Sequence, residues 1–527
     1  MLFSLSGLGL SFQSSYTVQD DARQHVFWLQ RLNDSELFPN DLIADYFSSV
    51  APAGYKFLYW LANLLGLEPF LFNKILPLLL GVGTSIYIYL VTIEIFSLPL
   101  AGFLASLLLN QNLWLLNDLV SGTPRAFFYV LFLGFIYYLL RRELYPCLLL
   151  IVLQGLFYPQ AVIISAGILI LNILTQRDKF YVISLATAVL ILAIYKLQTG
   201  EFTDVITLEA AKQLPEFYPG GRSAFFTDEP WYFWLFAERS GFFPFEWQYF
   251  ALCSFWLLLL ICLIPRRLSL IGQINRRAAI IWQILLASFG SFCLAHLMLF
   301  RLHLPSRYSQ HTWRIVLALI GGIVLAVFLQ HLRQRLANFA RIYQWLAIAI
   351  FIAIVFYPTI EVQSRPDRLS YLTGETPELY QFLQQQPKDV VIATLGVEAD
   401  FIPSLARRSV LVSREYSIPY HWDYYSQIRQ RTKDLIRAQY SSSLVDVQQF
   451  IRKYQVDLWL LNRQAFTAEY LYTNSWLNQF PLEIKTAIAS LQNSQPAIIS
   501  QSDRCSIWQT SELNLLDAKC LLEEEKK

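Results

Sequence analysis

The chain has 527 residues, of which 55% are hydrophobic and 16% aromatic, with only 15% charged and a formal net charge of +2. About a quarter of a soluble domain is charged, so a wholly water-soluble fold is excluded and lipid must serve as part of the solvent. Near-neutrality argues against a nucleic-acid polyanion as the main partner.

In chain order, the opening MLFSLSGLGLSF is apolar but too short to cross a bilayer, and it lacks the basic region and cleavage site of a signal peptide. It reads as the outer end of a first helix whose start is clipped. Apolar runs of spanning character follow near residues 72–96, 100–117, 125–140, 144–157, 160–175, 180–197, 246–264, 279–300, 313–330 and 342–360, two of them short. With the partial first helix that makes about eleven spans. Alternating them places Arg141, Arg142, Arg177, Lys179, Arg266, Arg267, Arg276, Arg277, Arg333, Arg335 and Arg341 on one side, which the positive-inside rule makes cytoplasmic. The segments 14–71, 198–245 and everything after 361 then face the other side.

Beyond residue 361 the pattern changes. Short apolar runs at Val390–Leu395, Ser409–Ser413 and Val456–Leu461 predict strands between helical patterns. Thr376-Pro377-Glu378 opens a helix running through Gln386, and Leu444–Tyr454 predicts another. Cys505–Thr510 predicts a closing strand, and LLEEEKK a solvated tail. The expected fold class is therefore a mainly α polytopic membrane protein, residues 1–360, followed by a soluble extracytoplasmic α/β domain, residues 361–527.

Cysteine usage constrains little. Cys147, Cys253, Cys262 and Cys293 fall in apolar runs, where a thiol behaves as a small hydrophobe. Cys505 and Cys520 lie in the polar third and are able to pair only if that domain faces an oxidising compartment. No Cys or His spacing suggests zinc.

Three stretches carry candidate chemistry. In YTVQDDARQHVFWLQRL, Asp20 and Asp21 stand outside the first apolar run at the start of an amphipathic helix. One reading is helix capping; the other is a general base at the membrane surface. In NDLVSGTPRAFF, Arg125 sits in the first turn of a helix, where a cation opposes the helix dipole unless an anion binds there. Snorkelling to lipid headgroups is its alternative role, and Asp118 just before it is either a second carboxylate or an interfacial acid. In FRLHLPSRYSQHTWR, Arg301, His303, Arg307, His311 and Arg314 gather on the external side, where positive-inside bias makes arginine unexpected; phosphate ligation is one explanation and lipid headgroups the other. The long loop 198–245 adds Arg222 and Arg239 as further phosphate candidates, together with an aromatic run, WYFWLF, suited to the interface.

Together these features resemble the GT-C superfamily of integral membrane glycosyltransferases. The likeness rests on the many spans, the acidic pair Asp20-Asp21 soon after the first helix, LPSRY (Leu304–Tyr308) before a late span, and a C-terminal helix leading into KYQVDLWLL (Lys453–Leu461). HWDYY at 421–425 is only superficially like the WWDYG motif of oligosaccharyltransferases, since it lacks the first Trp and the Gly. The resemblance implies an inverting transferase in a bacterial plasma membrane. It would move a sugar from a polyprenyl-phosphate-linked donor to a lipid, glycan or protein acceptor on the non-cytoplasmic face. It implies Asp20 or Asp21 as base, Arg125 and Arg307 on phosphate, His303 assisting, and Asp118, Tyr308 and Arg222 as further substrate contacts. No cofactor is expected: the second external loop offers Asp118 alone where a metal-dependent enzyme of the oligosaccharyltransferase kind has a paired acid motif. The alternatives are a lipid or polysaccharide transporter and a non-catalytic envelope assembly factor. A transporter should place ionisable groups near mid-membrane, whereas Glu94, Lys196 and His296 all lie within a few turns of a span edge.

Overall fold

The computed structural model describes residues 2–114, 117–197, 202–244, 275–337, 340–364 and 369–523. A short first helix α1 (Leu2–Ser11) leads through β1 (Thr17–Gln19) into the one-turn α2 (Ala22–His25). Two surface helices, α3 (Leu42–Val50) and α4 (Ala53–Leu64), precede the bundle. The bundle comprises α5 (Pro69–Ile95), α6 (Pro99–Leu113), a one-turn α7 (Asn117–Val120), α8 (Phe127–Arg141), α9 (Leu144–Phe157), α10 (Pro159–Gln176), α11 (Lys179–Leu197), α12 (Ala279–Leu297), α13 (Gln310–Leu336) and α14 (Arg341–Ser364).

Nine of the ten expected full spans coincide with helices, and the tenth, 246–264, lies outside the described residues. Six of these helices, counted with their leading turns, are long and apolar enough to cross a membrane: Pro69–Ile95, Pro124–Arg141, Pro159–Gln176, Lys179–Leu197, Arg276–Leu297 and Pro305–Leu336. Leu144–Phe157 and Arg341–Tyr357 are shorter apolar helices, and α6 has 15 residues. The protein is thus a multi-pass membrane protein, although the described residues do not carry eleven full-length spans.

Helices in lipid gain little from hydrophobicity against one another, so close packing and polar contacts hold them. A Cβ at Gly322 in α13 would stand 2.6 Å from Ala101 O and 2.5 Å from Ala105 N, so this glycine lets α13 press against α6. Gln111 of α6 donates to Val355 O of α14 at 2.7 Å, and Asn172 of α10 exchanges amide bonds with Gln283 of α12 at 3.0 and 3.2 Å.

The C-terminal region packs helices around a five-stranded sheet in the order β4-β3-β5-β7-β6. Its strands are β3 (Val391–Ala393), β4 (Ser409–Val410), β5 (Leu458–Asn462), β6 (Ser506–Gln509) and β7 (Leu513–Asp517). β3 runs parallel to both β4 and β5, while β7 is antiparallel to β5 and β6. The strand expected to close the sheet, β6, is its edge; the missed β7 occupies the interior position. Cys505 and Cys520 form a disulfide. A further strand, β2 (Tyr371–Thr373), leaves this sheet and pairs antiparallel with β1, Thr17 opposite Thr373.

That pairing brings together the first and last of the three long segments, 14–71 and the region after 361. The third joins them: Trp422 N donates to Asp204 O at 2.7 Å. At the other end of the bundle Glu94 pairs with Arg141 and Arg277, and Arg142 with Asp178. Arg266 and Arg267 of the expected basic set lie outside the described residues.

Candidate functional site

The site forms where α2, α7, the start of α8 and the turn before α13 meet. Asp21 occupies the N-cap position of α2, yet its side chain makes no capping bond. The free N–H of Ala22 goes instead to Gln19 Oε1 at 3.2 Å. The Asp21 carboxylate is thereby released to pair with Arg125.

Arg125 lies in a 3-10 turn, Pro124–Ala126, ahead of α8. The loop before it is fixed from α5: Asn73 Nδ2 donates to Ser121 O at 3.0 Å. Gly122, with φ +58°, passes so close that an added Cβ would meet Asn73 Nδ2 at 2.7 Å, so only glycine suits this turn. The guanidinium spans two carboxylates, with Nη2 on Asp21 and Nε 3.5 Å from Asp118 Oδ1, while Nη2 also donates to Asn117 Oδ1 at 2.9 Å.

Asp118 is buried at the base of the site. It pairs with Arg314, accepts from Tyr129 Oη at 3.2 Å, and lies 3.4 Å from His311 Nδ1. Burial alone would push its carboxyl up, but Arg314, His311 and Arg125 outweigh burial and hold it well below the usual carboxylate range. The sequence grouped His311 and Arg314 with the external loop; both are instead buried in α13 as partners of Asp118.

Arg307 lies within electrostatic range of the same site. Its charge and that of Arg125 both act on Tyr158, with Asp118 alongside. Among the described residues its side chain has no hydrogen-bond or ion-pair partner, which leaves a free guanidinium beside the cluster. His303, with φ +62°, stands in the field of Arg307, Arg239 and His25, its ring 5.5 Å from that of Tyr420. Arg239 donates to Tyr420 Oη at 3.2 Å and lies within the field of Asp21.

Other expected contacts are placed elsewhere. Arg222 turns to the C-terminal region, with Nε on Arg414 O at 2.9 Å and Nη2 3.1 Å from Glu415 Oε1; Arg239 takes the place in the site that the sequence offered to either. Tyr308 is buried and its hydroxyl donates to Leu302 O at 2.8 Å, which makes it a strut of the turn rather than a substrate contact. Asp20 points away from Asp21's partners, onto Arg23. Burial pushes its carboxyl up, Glu415 and Asp21 add to this, and Arg23 opposes it. HWDYY is a docking seam: Tyr424 stacks on Tyr46 at 3.7 Å, and His421 Nδ1 is hydrogen-bonded to Tyr46 Oη at 2.8 Å. Among the described residues no group of three His, Cys, Asp or Glu side chains is gathered as for a metal. The Arg125 guanidinium stands between the Asp21 and Asp118 carboxylates.

Two half-buried imidazoles at the site give a pH prediction. Burial lowers His25 to about 4, Asp21 opposing and Arg125 reinforcing it, and burial with Arg307 lowers His303 to about 3, against an ordinary 6.5. From 6.5 down to about 4 the unfolded chain binds protons at both rings that the folded protein does not, so stability falls as pH falls through that window. Thermal unfolding at pH 7.5 and 5.0 is expected to show a smaller drop for the His25→Asn/His303→Asn double variant than for wild type. Equal drops would refute the assignment.

No family model matches the sequence, and no curated protein matches it. Solved structures do match. An oligosaccharyltransferase of Archaeoglobus fulgidus, tethered to an acceptor peptide containing the NVT sequon, aligns over 91% of this chain and 70% of its own, with a TM-score of 0.52 at 11% identity. Its apo form gives 0.50 at 11% identity over 91% and 71%. ArnT from Cupriavidus metallidurans aligns over 100% of this chain and 98% of its own at 10% identity, with a TM-score of 0.48.

Proposed function

We propose that this chain, which has the fold of the GT-C membrane glycosyltransferases, is itself an inverting glycosyltransferase. It takes a sugar from a polyprenyl-phosphate-linked donor and passes it to a lipid, glycan or protein acceptor on the non-cytoplasmic face of a bacterial plasma membrane. The observation that carries this reading is the junction of Asp21, freed from capping, with Arg125, in the field of an Arg307 that has no partner among the described residues, at the outer end of the bundle. Asp21 takes the proton of the acceptor hydroxyl as its oxygen bonds to the anomeric carbon. The bond from that carbon to the donor phosphate breaks, and its electron pair leaves on the phosphate oxygen. Arg125, Arg307 and Arg239 stabilise that charge. Neutral His303 supplies an N–H or a lone pair to the same oxygens. Three further observations support the reading: the fold hosts an acceptor in the Archaeoglobus enzyme, the disulfide suits an oxidising face, and at the opposite end of the bundle Arg141, Arg142 and Arg277 are ion-paired with Glu94 and Asp178.

The test is transfer by the purified protein from a panel of polyprenyl-phosphate sugars to lipid, glycan and peptide acceptors. Transfer from at least one donor is expected, unchanged by EDTA, because a guanidinium stands between the carboxylates. Absence of transfer across the panel would count against the function. Loss in EDTA with recovery on Mg²⁺ or Mn²⁺ would count against the metal-free site.

A further inference from the structure

The segment bearing Asp21 is held from outside the bundle. α2 has four residues, a single turn too short to hold its own shape. Before it, β1 is paired to β2 and Asp20 N donates to Ser370 O at 2.9 Å. Within it, two neighbouring side chains end on one carboxylate of the C-terminal region. Arg23 Nη2 donates to Glu415 Oε2 at 3.0 Å, and the Gln24 amide donates to Glu415 Oε1. Tyr416 Oη donates to Arg23 O at 3.2 Å, gripping the backbone of the same turn. Glu415 also holds Arg222 of the long external loop, so one carboxylate joins three separate parts of the chain.

We propose that Glu415 is a positioning residue. Through Arg23 and Gln24 it fixes the rotation of α2, and thereby turns Asp21 toward Arg125 while Asp20 faces the other way. The C-terminal region is on this account part of the transfer apparatus and no mere appendage. Arg23 is 4% and Glu415 8% exposed, so the clasp is buried. It is not sealed, however. A cavity of about 390 Å³ adjoins it, with Asp20, Arg23, Arg222 and Arg414 on its walls. Space of that size admits water to charges stranded by substitution, so a Glu415 variant is able to fold.

The kinetic half of this proposal rests on the glycosyltransferase reading, and the structural half does not. The experiment uses the full-length protein as wild type, Glu415→Gln and Glu415→Asp. Amide hydrogen exchange over residues 20–26 is expected to rise about ten-fold in Glu415→Gln, with exchange in the bundle unchanged. Misplacing a reacting group by about an ångström costs on the order of a hundred-fold in rate, so kcat should fall by that order. Donor KM should stay within about two-fold, because the phosphate-facing arginines are untouched. Glu415→Asp should recover part of both losses. Unchanged exchange overturns the proposal whatever the activity. Raised exchange with unchanged kcat overturns the positioning role, and so does a parallel loss of donor binding, which marks a merely structural residue. Should wild type transfer no sugar at all, the glycosyltransferase reading falls and the exchange result alone decides the clasp.

Discussion

Asp21→Asn is expected to lower sugar transfer by about a hundred- to ten-thousand-fold, the usual cost of removing a general base, while the protein still folds. The argument turns on what the carboxylate does not do. Asp21 makes no capping bond, so no cap is lost with it. Its ion pair with Arg125 is partly open, at 26% and 15% side-chain exposure. Exposed pairs contribute about 0–1 kcal/mol; this half-buried pair lies above that class, but Arg125 retains Asp118 and Asn117 when Asp21 is changed. An amide can accept a hydrogen bond from Arg125, but it cannot take a proton from an acceptor hydroxyl. Asp20→Asn should behave differently. Asp20 faces Arg23 and the Glu415 side of the helix, where burial already disfavours its charge, so the rate should stay near wild type. Transfer rate and melting temperature, measured side by side for the two variants, separate the roles. If Asp20→Asn is dead and Asp21→Asn active, the assignment is reversed; if both are active, the catalytic reading fails.

The spans were legible because apolar length is a physical requirement of the bilayer and leaves a plain trace in sequence. Their ends at α5, α10 and α11 fall within a few residues of expectation. A related signal, the uneven distribution of Lys and Arg, was equally legible as an expectation of sidedness. The strand β7 was not. Leu513, Leu515 and Leu516 are all buried, so the segment shows no alternation, and its neighbour β6, partly exposed, drew the expectation instead. The pairing of β1 with β2 joins residues more than 350 positions apart, which no local pattern encodes.

At the site, sequence singled out segments that the structure brings together, but not which way each side chain faces. Asp20 and Asp21 are adjacent, and one step along a helix turns a side chain by about 100°, so the pair divides between two environments. Sequence left capping and base chemistry open for both; the geometry gives capping to Gln19 and pairing with Arg125 to Asp21. Arg222 and Arg239 were equivalent candidates on a long loop. Only the docking of that loop on Glu415 and Tyr420 distinguishes them. The role of Glu415 had no signal at all, since a lone glutamate in a polar stretch reads as a solvated surface.

Removing the carboxylate beneath the site should unfold what removing Asp21 leaves standing. Asp118 is only 6% exposed and faces Arg314, Arg125 and His311. Breaking a buried pair by deleting one partner leaves uncompensated charge and typically costs about 3–5 kcal/mol. Asp118→Ala is therefore expected to lose stability on that scale, read from thermal unfolding in detergent, with Tyr129 also deprived of an acceptor. Deleting the opposing charge as well reverses the sign of the argument, because an apolar replacement for a buried pair is often neutral or stabilising. Asp118→Leu combined with Arg314→Met should recover most of the lost stability, since Arg125 keeps Asp21 and Asn117 as partners. Transfer should not recover with it. Asp118 is the lower of the two carboxylates between which Arg125 is seated, and a guanidinium displaced by about an ångström loses on the order of a hundred-fold in rate. A stable, inactive double variant would show that Asp118 serves chemistry by seating Arg125 as well as stability by neutralising Arg314. A double variant that regained activity along with stability would reduce Asp118 to a structural counter-ion, and a stable Asp118→Ala would remove even that role.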